Sequence, residues 1–214
     1  MSTPAAGLRP ARSPLGWLPL ALTGLRAALA PLLLWLAWGP AGQGAAAGPG
    51  LRAALGACLA AAFLSDLFDG ILARRLGVAT PGLRRLDSAA DSLFYVAATA
   101  AAWHLHPAAL RDRALPLGAL AALELARYAV DLYKFGREAS YHMWSSKIWG
   151  ITLFVAFFAL LVLGIAGWPV AVAIYVGIIA DAEGLAISVI LGRWRTDVPT
   201  FVHALRLQHR EVHS

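Results

Sequence analysis

The sequence predicts an all-α integral membrane protein of six transmembrane helices with both termini in the cytoplasm. Three observations carry that expectation. Of 214 residues, 59% are hydrophobic and only 14% charged, with a mean hydropathy of +0.65, whereas a soluble domain carries about 25% charged residues. The apolar residues gather into runs at 17–38, 51–72, 86–105, 115–133, 148–165 and 169–191, each near the ~20 residues that span a bilayer. The basic residues between the runs are distributed unequally. No room is left for a separate soluble domain, so residues 1–214 are read as one membrane domain: an N-terminal segment 1–16, a six-helix bundle 17–191 and a cytoplasmic tail 192–214.

The first run follows Arg9 and Arg12 and superficially resembles a signal peptide. Its length, and the lack of a clear processing site, favour a retained span. Residues 9–20 are a candidate interfacial helix, against which Pro10, Pro14 and Pro19 argue. The breaks between runs carry turn chemistry. GPAGQGAAAGPG (39–50) is a flexible linker, GVATPG (77–82) a tight loop, and HPAALRDR (106–113) and GIAGWP (164–169) separate later spans. The runs are rich in Ala and Gly, which suits close helix packing in lipid. Trp17, Trp38, Trp103, Trp144, Trp168 and Trp194 stand near run ends, as interfacial anchors do. A single cysteine, Cys58, rules out an internal disulfide or a multi-cysteine metal site.

The net charge of +6 does not indicate nucleic acid, because the basic residues lie in short flanks between apolar runs. One side of the membrane receives Arg9, Arg12, Arg74, Arg75, Arg84, Arg85, Lys134, Arg137, Lys147, Arg193, Arg195, Arg206 and Arg210. The other receives Arg52, Arg111 and Arg113. The richer side is cytoplasmic by the positive-inside rule. An even number of spans agrees with both termini lying there, and the chain is expected in the cytoplasmic (inner) membrane.

The stretch SDLFDGILARRLGVATPGLRRLDSAADS (65–92) concentrates charge where charge is expensive. Asp66 and Asp69 are three apart, about 60° around a helix axis; Asp87 and Asp91 are four apart, about 40°. The short connection between the second and third runs makes the two helices antiparallel neighbours, so their acidic faces converge. Four clustered carboxylates repel one another, and divalent cations are the obvious remedy. With no His or Cys in the stretch, an oxygen-only site favours Mg²⁺, Mn²⁺ or Ca²⁺ over zinc. The plainer alternative pairs these acids with Arg74, Arg75, Arg84 and Arg85, but intramembrane acids are functional by default. Gly70 and Ala73 leave a small-residue platform, and Arg74 lies four beyond Gly70 within reach of a phosphate. Together these features suggest a nucleotide or diphosphate site.

Written as D-x2-D-G-x2-A-R-x8-L-x3-D-x3-D, this 26-residue segment resembles the signature of the CDP-alcohol phosphotransferases. Asp66, Asp69, Gly70, Ala73, Arg74, Asp87 and Asp91 fall on its positions. The family has glycine where this chain has Leu83, with Gly82 one place earlier, which suggests a shifted turn. The resemblance implies a metal-dependent membrane enzyme that takes a CDP-linked lipid, typically CDP-diacylglycerol, and releases CMP as an alcohol attacks. It implies that Asp66, Asp69, Asp87 and Asp91 hold Mg²⁺ or Mn²⁺, as two ions. It further implies that Asp91 acts as general base, and that Asp66, Asp69, Gly70, Ala73, Arg74 and Gly82 contact the CDP moiety. Family members are commonly homodimers.

The acceptor side is less determined. Glu124, Arg127 and Asp131 form one polar stripe on an apolar helix, and Ser145, Ser146, Lys147 and His142 open the next. Arg127, Lys147 and, by position, Arg193 are candidates for an acceptor phosphate. The competing account of the stripe is an ion network that only locks helices. His142 reads as a packing residue. Of Asp181 and Glu183, two apart, one pairs with an arginine such as Arg127 and the other lines the cavity. Lys134 and Arg137 read as headgroup contacts. The basic residues favour a phosphorylated acceptor such as glycerol 3-phosphate over inositol phosphate or serine. An intramembrane prenyltransferase would separate its acidic motifs, and a cation transporter would scatter acids near the midplane or show repeats.

Overall fold

The computed structural model describes residues 15–42, 48–78, 80–139, 141 and 143–212, and among them the fold is helical with no strand. His142 lies outside these residues, as does most of the candidate interfacial helix at 9–20; residues 15–17 form a turn.

The first helix, α1 (Leu18–Trp38), places Pro19 in its opening turn, where a missing N–H costs nothing, and runs on through Pro31. Its buried residues Thr23, Arg26, Leu29, Ala30, Leu33 and Ala37 recur at helical spacing and form one stripe. A short 3₁₀ turn, Pro40–Gly42, follows. The second helix, α2 (Pro49–Arg75), ends at Gly77, whose φ of 67° is left-handed. The third, α3 (Pro81–Leu105), is capped by Thr80, whose hydroxyl accepts the Leu83 N–H at 3.2 Å. A five-residue α4 (Pro107–Arg111) leads into α5 (Ala114–Phe135), closed by Gly136 at φ 64°. Two more long helices, α6 (Trp144–Leu161) and α7 (Trp168–Ile190), complete the set of apolar runs.

The helices form two groups. In the first, α1 packs extensively on both α2 and α3, which touch each other little. This corrects the expectation of α2 and α3 as direct neighbours: α1 lies between them, and their acids converge on a residue of α1. Small side chains allow the approach, for Ala97, Ala98, Ala101 and Ala102 of α3 are all buried. In the second group α7 packs on α5 and α6, and α6 joins the groups by contacting α2 and α3.

By length and composition α1, α2, α6 and α7 are able to cross a membrane. The remaining long helices, α3 and α5, have 25 and 22 residues, or about 37 and 33 Å at 1.5 Å per residue. They bear Arg84, Arg85, Asp87 and Asp91, and Glu124, Arg127, Asp131 and Lys134, which lowers their apolar character. The six tryptophans expected at the interfaces are all exposed, along with many Leu, Ile and Val side chains, as in a protein surrounded by lipid.

The tail forms a further helix, α8 (Phe201–Val212), that the sequence reading did not place. Glu183 holds its start, accepting the Phe201 N–H at 3.0 Å and the Ser145 hydroxyl at 2.6 Å. Ala204 and Val198 then pack with Tyr141, Met143, Ile187 and Leu191. Glu183 is thus a structural tie between α6, α7 and the start of α8.

Close packing on α7 depends on missing side chains. A Cβ at Gly177 would stand 2.6 Å from the Trp149 indole nitrogen and 2.9 Å from a Leu120 methyl. Gly177→Ala is therefore expected to destabilise by about 1–3 kcal/mol through overpacking, seen as a lower thermal midpoint in detergent. Gly118→Ala, which meets nothing within 4 Å, should leave the midpoint unchanged or raise it.

Candidate active site

The four aspartates occupy facing ends of α2 and α3, and the structure brings them together. Carboxylate oxygens of Asp66, Asp69 and Asp87 all lie within 4.8 Å of one another. Two carboxylates at that distance repel by about 3–4 kcal/mol at an effective dielectric of 20, less where Asp66, 47% exposed, is screened by solvent. Something must offset this repulsion.

That something is Arg26 of α1. Its Nη1 donates to Asp87 Oδ1 at 2.9 Å and to Asp91 Oδ1, and stands 3.4 Å from Asp66 Oδ1. Its Nη2 donates to Asp69 Oδ2 at 2.5 Å. Its Nε points at the Ser65 hydroxyl, 3.5 Å away, which itself donates to the Ala62 carbonyl at 2.7 Å. Thr23, one turn earlier on α1, donates to the Pro19 carbonyl at 3.1 Å and faces Asp69 at 3.5 Å. One guanidinium thus meets all four acids, the fork geometry that arginine supplies and lysine does not.

The sequence reading missed Arg26. The available signal was a lone arginine within the first apolar run, since an ionisable residue inside a span faces the bundle interior and pairs there. It also replaces the plain alternative of pairing with flanking arginines by a partner from a third helix.

The cluster is closed on one side and open on the other. Arg26 and Asp69 are buried, whereas Asp66, Asp87 and Asp91 keep between 32% and 47% of their side chains exposed. A small recess lined by Arg26, Asp66, Asp91, Phe63, Phe94, Tyr95, Phe154 and Phe157 continues from the acids toward α6. Phe63 of α2 and Phe154 of α6 stack at 4.5 Å across it. Three oxygen donors from two helices, with an open mouth and no sulfur or imidazole, suit a hard divalent cation.

The neighbouring positions have distinct environments. Ala73 is buried and Arg74 exposed. The Arg74 guanidinium folds back over Gly70, where an added Cβ would stand 3.4 Å from Nη1. Gly82 and Leu83 lie in the first turn of α3, not in a loop, and neither has a positive φ. The backbone here therefore makes no conformational demand for glycine, and Leu83 is an ordinary helical residue whose N–H is capped by Thr80. A Cβ at Gly82 would meet nothing within 4 Å.

The acceptor candidates are not gathered at this cluster. Arg127 stands 3.3 Å from Asp181 of α7, as one of the two expected pairings has it. The pair is imperfect, since Arg127 Nε and Asp181 Oδ2 are buried without a hydrogen-bond partner. Lys147 sits over the Trp144 ring at 4.4 Å, and Arg193 is exposed in the α7–α8 connection. No hydrogen bond or ion pair among the described residues joins these three to the aspartates.

The polar stripe of α5 is not one network. Glu124 is exposed, and Asp131 accepts the Ser188 hydroxyl at 2.5 Å and the Ala139 N–H at 3.3 Å. Ser188 gives its proton to Asp131, so Tyr141, 2.9 Å away, is the donor to Ser188. Burial pushes the Tyr141 phenol upward, which keeps that proton in place. Lys134, exposed at the end of α5, donates to the Ser188 and Val189 carbonyls at the end of α7. Arg137 stacks on Trp194 at 4.7 Å.

No curated protein and no solved structure matches the chain. The family model described as CDP-alcohol phosphatidyltransferase matches residues 16–194, which takes in α1 through α7 and every aspartate of the cluster. The chain is a member of the CDP-alcohol phosphatidyltransferase family.

Proposed function

We propose that this protein transfers a phosphatidyl-type group from CDP-diacylglycerol to a small phosphorylated alcohol such as glycerol 3-phosphate, releasing CMP, in phospholipid biosynthesis. The observation that carries this reading is the convergence of four carboxylates at one open-mouthed site inside a membrane protein of this family.

Asp66, Asp69 and Asp87, with Asp91, would hold Mg²⁺ or Mn²⁺, in the number of two ions. Bound metal supplies neutralisation of the donor diphosphate and of the departing CMP. Asp91 accepts the proton of the acceptor hydroxyl as its oxygen bonds to the lipid-bearing phosphorus and the bond to CMP breaks. Its partial exposure and its place on the recess wall beside Asp66 support that role. Gly70 and Ala73 leave space for the nucleotide, and Arg74, already folded over Gly70, meets its phosphates. Gly82, with open space around it, admits the nucleotide near the start of α3.

For the acceptor phosphate, Lys147 and Arg193 are exposed and accessible, whereas Arg127 must share its charge with Asp181. In the membrane, α3 and α5 join the four apolar helices to make six spans: Asp131 turns inward, Arg84, Arg85 and Lys134 sit toward the ends, and Glu124 is the exposed charge left at mid-helix. The basic loops then place the site on the cytoplasmic face of the inner membrane, and a second copy of the chain covers part of the exposed apolar surface as a homodimer.

CMP formation from CDP-diacylglycerol by protein in detergent is expected to stop with EDTA and return with Mg²⁺ or Mn²⁺. Asp91→Asn should lower kcat by about 10²–10⁴-fold; an unchanged turnover would sink the general-base assignment. In a panel of acceptors scored by mass spectrometry of the lipid product, glycerol 3-phosphate is expected to give the fastest turnover. Faster product with serine or an inositol phosphate would reassign the acceptor while leaving the donor chemistry intact.

A further inference from the structure

The feature that the proposed chemistry leaves unused is the buried guanidinium at the centre of the acids. Arg26 is 2% exposed at its side chain, and its two terminal nitrogens reach Asp66, Asp69, Asp87 and Asp91 at once. The oxygens it meets include Asp66 Oδ1, Asp69 Oδ2 and Asp87 Oδ1, from the same three carboxylates that are close enough to share an ion. A guanidinium donating to those oxygens and a cation accepting their lone pairs draw on the same electron density.

The charge count points the same way. With all four carboxylates ionised, one guanidinium leaves three negative charges in excess. Arg26 alone therefore holds the cluster together without satisfying it, and the excess invites a further cation. Two divalent ions added to an unmoved Arg26 would instead leave one positive charge in excess, with the guanidinium pressed against the ions.

We infer that Arg26 is a resident counter-cation of the acid cluster, which holds the four carboxylates assembled without metal and withdraws from them when divalent ions load. Arg26 thereby sets the metal concentration at which the site fills. Arg26 also lines, with Tyr95 and Phe157, the small recess beside the acids. The hydroxyls of Thr23 and Ser65 sit beside its present position and would be left to the acids. This inference rests on the metal-dependent reading above and adds to it a role for a residue outside the acidic segment.

Binding of Mn²⁺ alone, read by the loss of the free-ion electron paramagnetic resonance signal, tests it on the detergent-purified full chain. Arg26→Met removes the charge and keeps the length. It is expected to bind Mn²⁺ on the order of tenfold more tightly than the unsubstituted protein, because a cation competing at contact distance is gone. Its thermal midpoint should fall without metal and recover with Mn²⁺. Should Arg26→Met fail to fold, Arg26→Lys replaces it, since a point charge cannot bridge four acids and should also tighten Mn²⁺. Equal or weaker Mn²⁺ affinity in the folded variant, with binding intact in the unsubstituted protein, overturns the inference and spares the metal reading. Absence of Mn²⁺ binding in the unsubstituted protein overturns both.

Discussion

One guanidinium in contact with four carboxylates is the constraint on which the first half of this molecule is built. Buried charges such as those of Arg26 and Asp69 persist only when paired and hydrogen-bonded, and here the pairing spans three helices. It requires α1 to lie between α2 and α3, within reach of both acidic faces. That in turn requires thin contact surfaces, which explains the buried alanine stripe of α3 and the small residues Ala62, Ser65 and Ala73 of α2. Removing one partner leaves the others less well paired, so these contacts depend on one another more than ordinary apolar packing does.

The second half follows a different logic. Around α7 the polar contacts are small and mostly structural: Tyr141 to Ser188 and Ser188 to Asp131, Lys134 with the end of α7, Glu183 with the start of α8. The exceptions are Arg127 with Asp181, where two buried polar atoms find no hydrogen bond, and the indole nitrogen of Trp149 on α6, a third such atom. Between the halves stands α6, which packs on α7 and also touches α2 and α3, and whose Phe154 and Phe157 line the recess beside the acids.

The fold class and the acidic centre were legible in the sequence for definite reasons. Apolar runs report helices because the bilayer admits little else, and the spacings of Asp66 with Asp69 and of Asp87 with Asp91 fix each pair to one face before any contact is known. What spacing cannot report is which third helix answers those faces. Arg26 sits 40 residues before Asp66, and only packing brings it there. The order of the first three helices was hidden for the same reason, since a short connection between α2 and α3 is compatible with an intervening α1. Leu83 looked anomalous because a family glycine suggested a turn; the helix simply begins earlier, at Pro81, where Thr80 caps it. The tail was read as featureless because α8 is short and gains its stability from contacts with α7 and from Glu183.

The central claim is that the acids clustered around Arg26 are a metal-loaded catalytic centre at work and an arginine-held one at rest. Anomalous diffraction from crystals grown with Mn²⁺ and a CDP-lipid tests it most directly. The account predicts manganese peaks among the carboxylates of Asp66, Asp69, Asp87 and Asp91, with the Arg26 guanidinium withdrawn from them and the diphosphate on the ions. Manganese located elsewhere, or an Arg26 still bonded to all four acids beside a bound CDP-lipid, would contradict it.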